Sequence, residues 1–276
     1  MTKRAYLDRP GCRLYYEVTG EGPPIVFAHG LGGNHLSWWQ QVPHFAARHT
    51  CVTFAHRGFA PSSDVAGGPD PADYAGDLAA LIEHLGLGDI CLVAQSMGGW
   101  ACLEYALARP ERVRALVLAS TAGAIARKMT LLRDAPRLDA WIAQAAAART
   151  DMQAQGVHPA AGTRMAREQP ALHFLYRAID ATAAARLDKE ALRARMIALQ
   201  TRPADVLANL AVPTLFITGA EDVVFPPQLA GPLAAVMPDA RVEQVGEAGH
   251  SVYFERADVF NRLVDEFLAA VGYTRT

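Results

Sequence analysis

The chain has 276 residues, 26 basic and 28 acidic side chains, a formal charge of −2 and 51% hydrophobic residues. That length suits one large α/β domain, which buries enough surface to fold without a disulfide or metal staple. The near-neutral balance gives no whole-chain attraction to nucleic acid or to an anionic membrane, and the composition excludes disorder. No apolar run approaches the ~18 residues of a membrane span, and the opening residues lack the apolar stretch of an export signal. Cys12, Cys51, Cys91 and Cys102 show no CxxC spacing, so zinc and thioredoxin-type sites are not expected. The expectation is a reduced, cytoplasmic protein.

Short apolar runs alternate with helical patterns in the first half. RLYYEV, PIVFAHG, TCVTFAHRG, ICLVAQS and VRALVLAST read as strands, several of them apolar throughout, as parallel strands covered on both faces are. Asp70-Pro71 supplies a cap and a first-turn proline for the helix in DPADYAGDLAALIEHLG, and Gly86 closes it. MGGWACLEYALAR is a second helix, ended by Pro110. From about Ala124 to Ala208 the pattern is rich in Ala, Arg and Met and helical, with no strand. PTLFITG and ARVEQVG then resume the strand pattern, and ADVFNRLVDEFLAAVG closes the chain as an amphipathic helix. The fold class is α/β: a mostly parallel central sheet flanked by helices, with an inserted helical lid. Residues 1–123 and 209–276 form the core domain, and 124–208 the lid.

The most informative stretch is Ile90 to Trp100, ICLVAQSMGGW. A buried strand runs into Ser96, then two glycines, then a helix, which is the layout of a nucleophile elbow. The turn is so tight that the residues two before and two after the serine must be small, and Ala94 and Gly98 are. The chain has only six serines, so one at this joint is hard to assign to composition. A serine hydroxyl needs a base to take its proton and a third group to orient that base. His250, after the last strand, and Asp222, after PTLFITG, lie where parallel strands converge on one sheet edge. Glu221 neighbours Asp222 and could exchange roles with it, and His56 is the main rival base. His29-Gly30-Leu31-Gly32-Gly33, following PIVFA, is a turn whose backbone N–H groups can face a developing oxyanion. The donors are assigned to Leu31 and to Met97, and His29 to a structural role. This turn lacks the lysine and spacing of a phosphate loop.

The HG turn, FAHRG, AQSMGG, GAEDVVFP and the GHSVYFERADVFNRLVDEFL ending together resemble the α/β-hydrolase superfamily. The likeness covers the chain through Thr121 and from about Val212 onward, leaving the lid unmatched. Two departures are Ala94, where glycine is usual, and Ala55-His56, where an acidic residue often stands. Among such proteins, a serine at 96 argues against dehalogenase and epoxide hydrolase branches, which use aspartate there. The resemblance implies a serine hydrolase of a small-molecule ester or lactone, with Ser96, His250 and Asp222 as its triad and no metal or organic cofactor. Carbon–carbon bond hydrolases are the alternative, although Gln95, Ser251 and Leu31-Gly32-Gly33 depart from their pattern. A cofactor-independent dioxygenase using the His250–Asp222 dyad, or a non-catalytic ligand receptor, is more distant.

The segment 124–208 carries 13 basic and 8 acidic side chains, a net of +5 against −7 for the remainder. A lid that attracts a carboxylate-bearing substrate is one reading; solvated helix faces are the simpler one. Met129, Met152, Met165 and Met196 suit an adaptable apolar surface or a loose helical core equally. Gln95, Trp100, Trp141, Phe174 and Val223 are the candidates for substrate contact, with His173 and Tyr176 as further lid residues.

Overall fold

A computed structural model describes residues 1–126 and 135–274. Its eight strands are β1 Lys3–Arg9, β2 Cys12–Thr19, β3 Pro24–Ala28, β4 Thr50–Phe54, β5 Ile90–Gln95, β6 Val113–Ala119, β7 Thr214–Gly219 and β8 Ala240–Val245. They form one sheet in the order β1-β2-β4-β3-β5-β6-β7-β8. From β4 to β8 every pairing is parallel, while β1 and β2, at one side of the sheet, pair antiparallel. Seven strands match the apolar runs of the sequence. The eighth, β1, carries Lys3, Arg4, Asp8 and Arg9 and is largely exposed. An edge strand wet on both faces has too little apolar periodicity to stand out, and charges protect its free edge.

Along β5 the side chains alternate between two cores: Leu92 and Ala94 join one, and Cys91 and Val93 the other. The first core packs under α2 (Tyr74–His84), α3 (Gly98–Ala108) and the short helix Ala230–Val236. The second packs under α1 (Gln41–Phe45) and the C-terminal helix Ala257–Ala270, which contributes Phe260, Leu263, Val264, Phe267 and Leu268. Asp70 caps a 3-10 turn, Pro71–Asp73, that leads into α2, and Gly86 follows the helix with φ +60°. All four cysteines are buried and free.

Strand register sets up the site. Ala28 of β3 lies opposite Ala94 of β5, and Gln95 opposite Ala119 of β6. Ala119 in turn pairs with Ile217, and Gly219 with Val245. The five strands therefore end nearly level, and the loops after them leave from one sheet edge. Between β6 and β7 stands a helical insert: Ala135–Ala154, Gly162–Glu168, Pro170–Ala183 and Lys189–Ala198. Its two ends are clasped where Ile125 bridges Arg202. Ala126 N donates to Arg202 O at 2.8 Å and Arg202 N to Ala124 O at 3.1 Å. Arg202 also pairs with Glu104 of α3 at 2.6 Å.

A Cβ on Gly98 would lie 2.2 Å from the carbonyl oxygen of Ala28, so α3 approaches β3 more closely than any side chain allows. Gly98→Ala is expected to destabilise the fold by about 1–3 kcal/mol through overpacking, read as a lowered melting temperature.

Candidate active site

Ser96 has φ +49°, a left-handed conformation that is unfavourable for any residue with a Cβ. The neighbours hold it there. Ser96 N donates to Ala119 O at 3.0 Å, and Gly99 N donates to Ser96 O at 3.0 Å. A Cβ on Gly30 would stand 2.1 Å from Gln95 Oε1 and 3.2 Å from the Ser96 Cβ, so the Gln95 side chain would have to give way. A Cβ on Gly99 would meet Thr121 Oγ1 at 2.3 Å. The serine is thus presented at a joint that only small neighbours permit.

Asp222 and His250 meet through His250 Nδ1 and Asp222 Oδ2 at 2.8 Å, both side chains buried. The other carboxylate oxygen accepts from Val224 N at 2.7 Å and Phe225 N at 2.8 Å. Glu221 is directed elsewhere, pairing with Arg164 at 2.6 Å, so the geometry brings Asp222 rather than its neighbour to the histidine. The histidine loop docks directly on the end of β7, where a Cβ on Gly219 would fall 2.0 Å from Gly249 O. Buried Glu255 steadies the same loop by accepting from Gly249 N at 2.8 Å. Burial raises the pKa of that carboxyl.

Ser96 and His250 line a cavity of about 800 Å³ together with Leu31, Gly32, Gln95 and Trp100. No backbone carbonyl among the described residues accepts from the N–H of Leu31 or Met97. Met97 is the residue immediately before α3, where N–H groups have no helical partner. Trp100 Nε1 and Ser120 Oγ are buried, belong to cavity-lining residues and have no hydrogen-bond partner among the described residues. Ser120 also has a positive φ, +49°. Among the described residues no group of three His, Cys, Asp or Glu side chains is arranged to hold a metal ion.

The insert supplies the opposite wall, including Trp141, Arg149, Gln153, Tyr176, Asp180, Lys189 and Met196. Trp141 and Tyr176, both lid candidates of the sequence, line this wall. Gln95 lines the cavity too, but its amide is also a brace, donating to His250 O at 3.4 Å. Two expected contacts are corrected. Phe174 is 74% exposed and faces away, because the buried side of its helix runs through Tyr176, Ile179 and Ala183. Two helical positions from Tyr176 is roughly 200° around the axis. Val223 is not a lining residue; Val224 and Phe225 are, turned inward by their bonds to Asp222 Oδ1. Of the methionines, Met196 lines the cavity, Met165 is fully buried in the core, and Met129 falls outside the described residues. Arg149 and Gln153 had no sequence signal, because an alanine-rich helix does not declare which face it turns inward.

His56, the rival base, is buried beside Phe54, Phe59, Tyr74 and His29 and does not line the cavity. His29 Nε2 accepts from His56 N at 2.9 Å, and its Nδ1 pairs with Gly30 O at 2.8 Å. Arg57, next along, binds buried Asp77 at 2.6 Å and ties the end of β4 to α2. This segment is structural.

The sequence matches the family model for the alpha/beta hydrolase fold over residues 23–257. The chain belongs to this family. A relative from Azorhizobium caulinodans with the provisional name carbamate hydrolase RutD is 29% identical, over 94% of this chain and 96% of its own. One from Mycobacterium tuberculosis, provisionally named non-heme bromoperoxidase BpoC, is 31% identical over 94% and 98%. Among solved structures, an esterase from Thermogutta terrifontis superposes with a TM-score of 0.75 at 25% identity, covering 98% of this chain and 99% of its own. The fold is shared with the enol-lactonase of Burkholderia xenovorans LB400, at a TM-score of 0.74 and 24% identity over 96% and 100%.

Burial pushes the His56 pKa down to about 3 and holds that of His29 well below the usual histidine range. Between their ordinary value near 6.5 and these depressed values, the unfolded chain binds more protons than the native one. Stability is therefore expected to be retained above about pH 6.5 and to fall progressively as the pH drops below it. His56→Phe, which suits the aromatic surroundings, should flatten that acid limb in denaturant titrations between pH 7.5 and 5. An unchanged slope would remove His56 as its source.

Proposed function

We propose that the chain is a serine hydrolase of small-molecule carboxylic esters or lactones. The observation that carries this reading is the buried His250–Asp222 pair at 2.8 Å, on the same cavity as a serine held in the left-handed elbow conformation. Ser96 Oγ attacks the substrate carbonyl while His250 Nε2 takes its proton. Asp222, accepting at Oδ2, keeps the Nδ1–H tautomer and stabilises the imidazolium. The N–H groups of Leu31 and Met97 receive the tetrahedral oxyanion, and each such donor contributes roughly 10²–10³ in rate. His250 returns the proton to the leaving alcohol, then activates water to release the acid from Ser96. No step needs a metal or organic cofactor. The helical insert, clasped at Ile125 and Arg202, serves as the lid whose inner wall selects the substrate.

Support comes from the esterase and enol-lactonase among the structural relatives. A dehalogenase relative, haloalkane dehalogenase 2 of Mycobacterium tuberculosis, is 29% identical. Serine at 96 disfavours that chemistry here, because an aspartate ester is its usual intermediate.

A fluorophosphonate probe is expected to label Ser96, mapped by peptide mass, and p-nitrophenyl acyl esters to be turned over. Asp222→Asn should reduce kcat by about 10³–10⁴ and Ser96→Ala by more, each with the melting temperature nearly retained. Full ester turnover by a folded Ser96→Ala protein would overturn the mechanism.

A further inference from the structure

We propose that Arg149 binds a carboxylate on the substrate, so that the preferred ester or lactone is an anionic one. The inference rests on the Ser96 hydrolase reading and narrows it. Four cations, Arg149, Arg177, Lys189 and Arg193, and two carboxylates, Asp180 and Glu190, line the cavity, a net charge of +2. Lys189 is occupied by Asp180 at 2.6 Å, and Arg193 by Glu190 on the next turn. Arg177 is exposed and donates to Gly156 O at the cavity wall. Arg149 is half-buried, unlike Arg177 and Arg193, and makes no ion pair among the described residues, unlike Lys189 and Arg193.

Its side chain is anchored nonetheless. Arg149 Nη1 donates to the carbonyl of Val223 at 2.5 Å, the residue immediately after Asp222. A guanidinium has five N–H donors in a rigid plane, so one bond fixes its position and leaves the remaining edge open. A tether to a carbonyl requires only a neutral donor. A positive charge there, partly removed from water and without a counter-ion, is costly unless an anion joins it. The planar fork matches a carboxylate in bidentate geometry, and the partly dry surroundings strengthen that pairing. Gln153, one helical turn further along, lines the same cavity and offers an amide donor beside it. Because the anchor lies on the acid loop, the carboxylate end of the substrate is placed on the Asp222 side of the cavity. The substrates this favours are half-esters of dicarboxylic acids and carboxylated lactones.

The test compares mono-p-nitrophenyl glutarate with p-nitrophenyl pentanoate in the wild type, Arg149→Gln and Arg149→Lys. Gln at this position keeps an N–H for the Val223 carbonyl but carries no charge. The ratio of kcat/KM for the charged ester over the neutral one is expected to fall about 10–100-fold in Arg149→Gln. Lys should fall between the two, and the wild-type ratio should shrink as salt is raised. A merely structural role would depress both esters and leave the ratio unchanged, which would overturn the proposal. Calorimetric titration with glutarate, in the wild type and in Ser96→Ala, reads the site without turnover. Tenfold or greater weakening of glutarate by Arg149→Gln supports the carboxylate site even where both esters fail as substrates, an outcome that would instead defeat the Ser96 chemistry. Equal glutarate affinity in wild type and Arg149→Gln, or none in the wild type at millimolar concentration, would overturn the inference.

Discussion

The carboxylate of Asp222 holds three parts of the site in one arrangement. One oxygen binds His250 Nδ1, and the other accepts the backbone N–H groups of Val224 and Phe225. A carboxylate with both oxygens engaged has little freedom to rotate, so the imidazole it orients inherits a single direction. The same bonds wind the chain after Asp222 into a turn, and that turn presents Val224 and Phe225 to the cavity while leaving the Val223 carbonyl for Arg149. Truncating Asp222 to alanine, which removes both acceptors, would therefore disturb the histidine, the acid loop and the anchor of the insert together.

Such an arrangement depends on unusually close backbone approach. Gly219 lets the loop carrying His250 rest on the end of β7, Gly98 lets α3 rest on β3, and Gly30 leaves space for the side chain of Gln95 beside Ser96. At Gly219 and Gly98 a Cβ would fall 2.0 and 2.2 Å from a backbone carbonyl oxygen, closer than any packed structure tolerates. These contacts bring chain segments far apart in sequence within reach of one another at the level strand ends. The left-handed backbone of Ser96 is held by the same framework, with strain at the elbow offset by the buried sheet around it.

Much of this was legible in the linear sequence. The parallel strands announce themselves as apolar runs, and AQSMGG declares a tight strand-to-helix turn because few sequences satisfy its small-residue demand. Asp222 and His250 follow from chain order and strand-end position. Less was legible where the signal is weak or shared. β1 was missed because a wet edge strand lacks apolar alternation. His56 and Glu221 stood as credible rivals because proximity to a strand end does not say which way a side chain points; one is enclosed by aromatic rings and the other is paired with Arg164. Phe174 looked like a pocket residue from composition, yet it lies around the helix from the face that Tyr176 buries.

The sequence by itself determined the α/β alternation and the strand-end positions of Ser96, Asp222 and His250, because each rests on local patterns: strand periodicity, turn stereochemistry and the order of loops. Only the tertiary structure decided which insert side chains face the cavity, that Arg149 is braced against the acid loop, and that the other cavity cations are already paired or exposed. Those features depend on the rotation of helices about their own axes and on partners tens of residues away. A helix rich in alanine has no apolar stripe strong enough to encode that rotation, so packing against the sheet edge sets it.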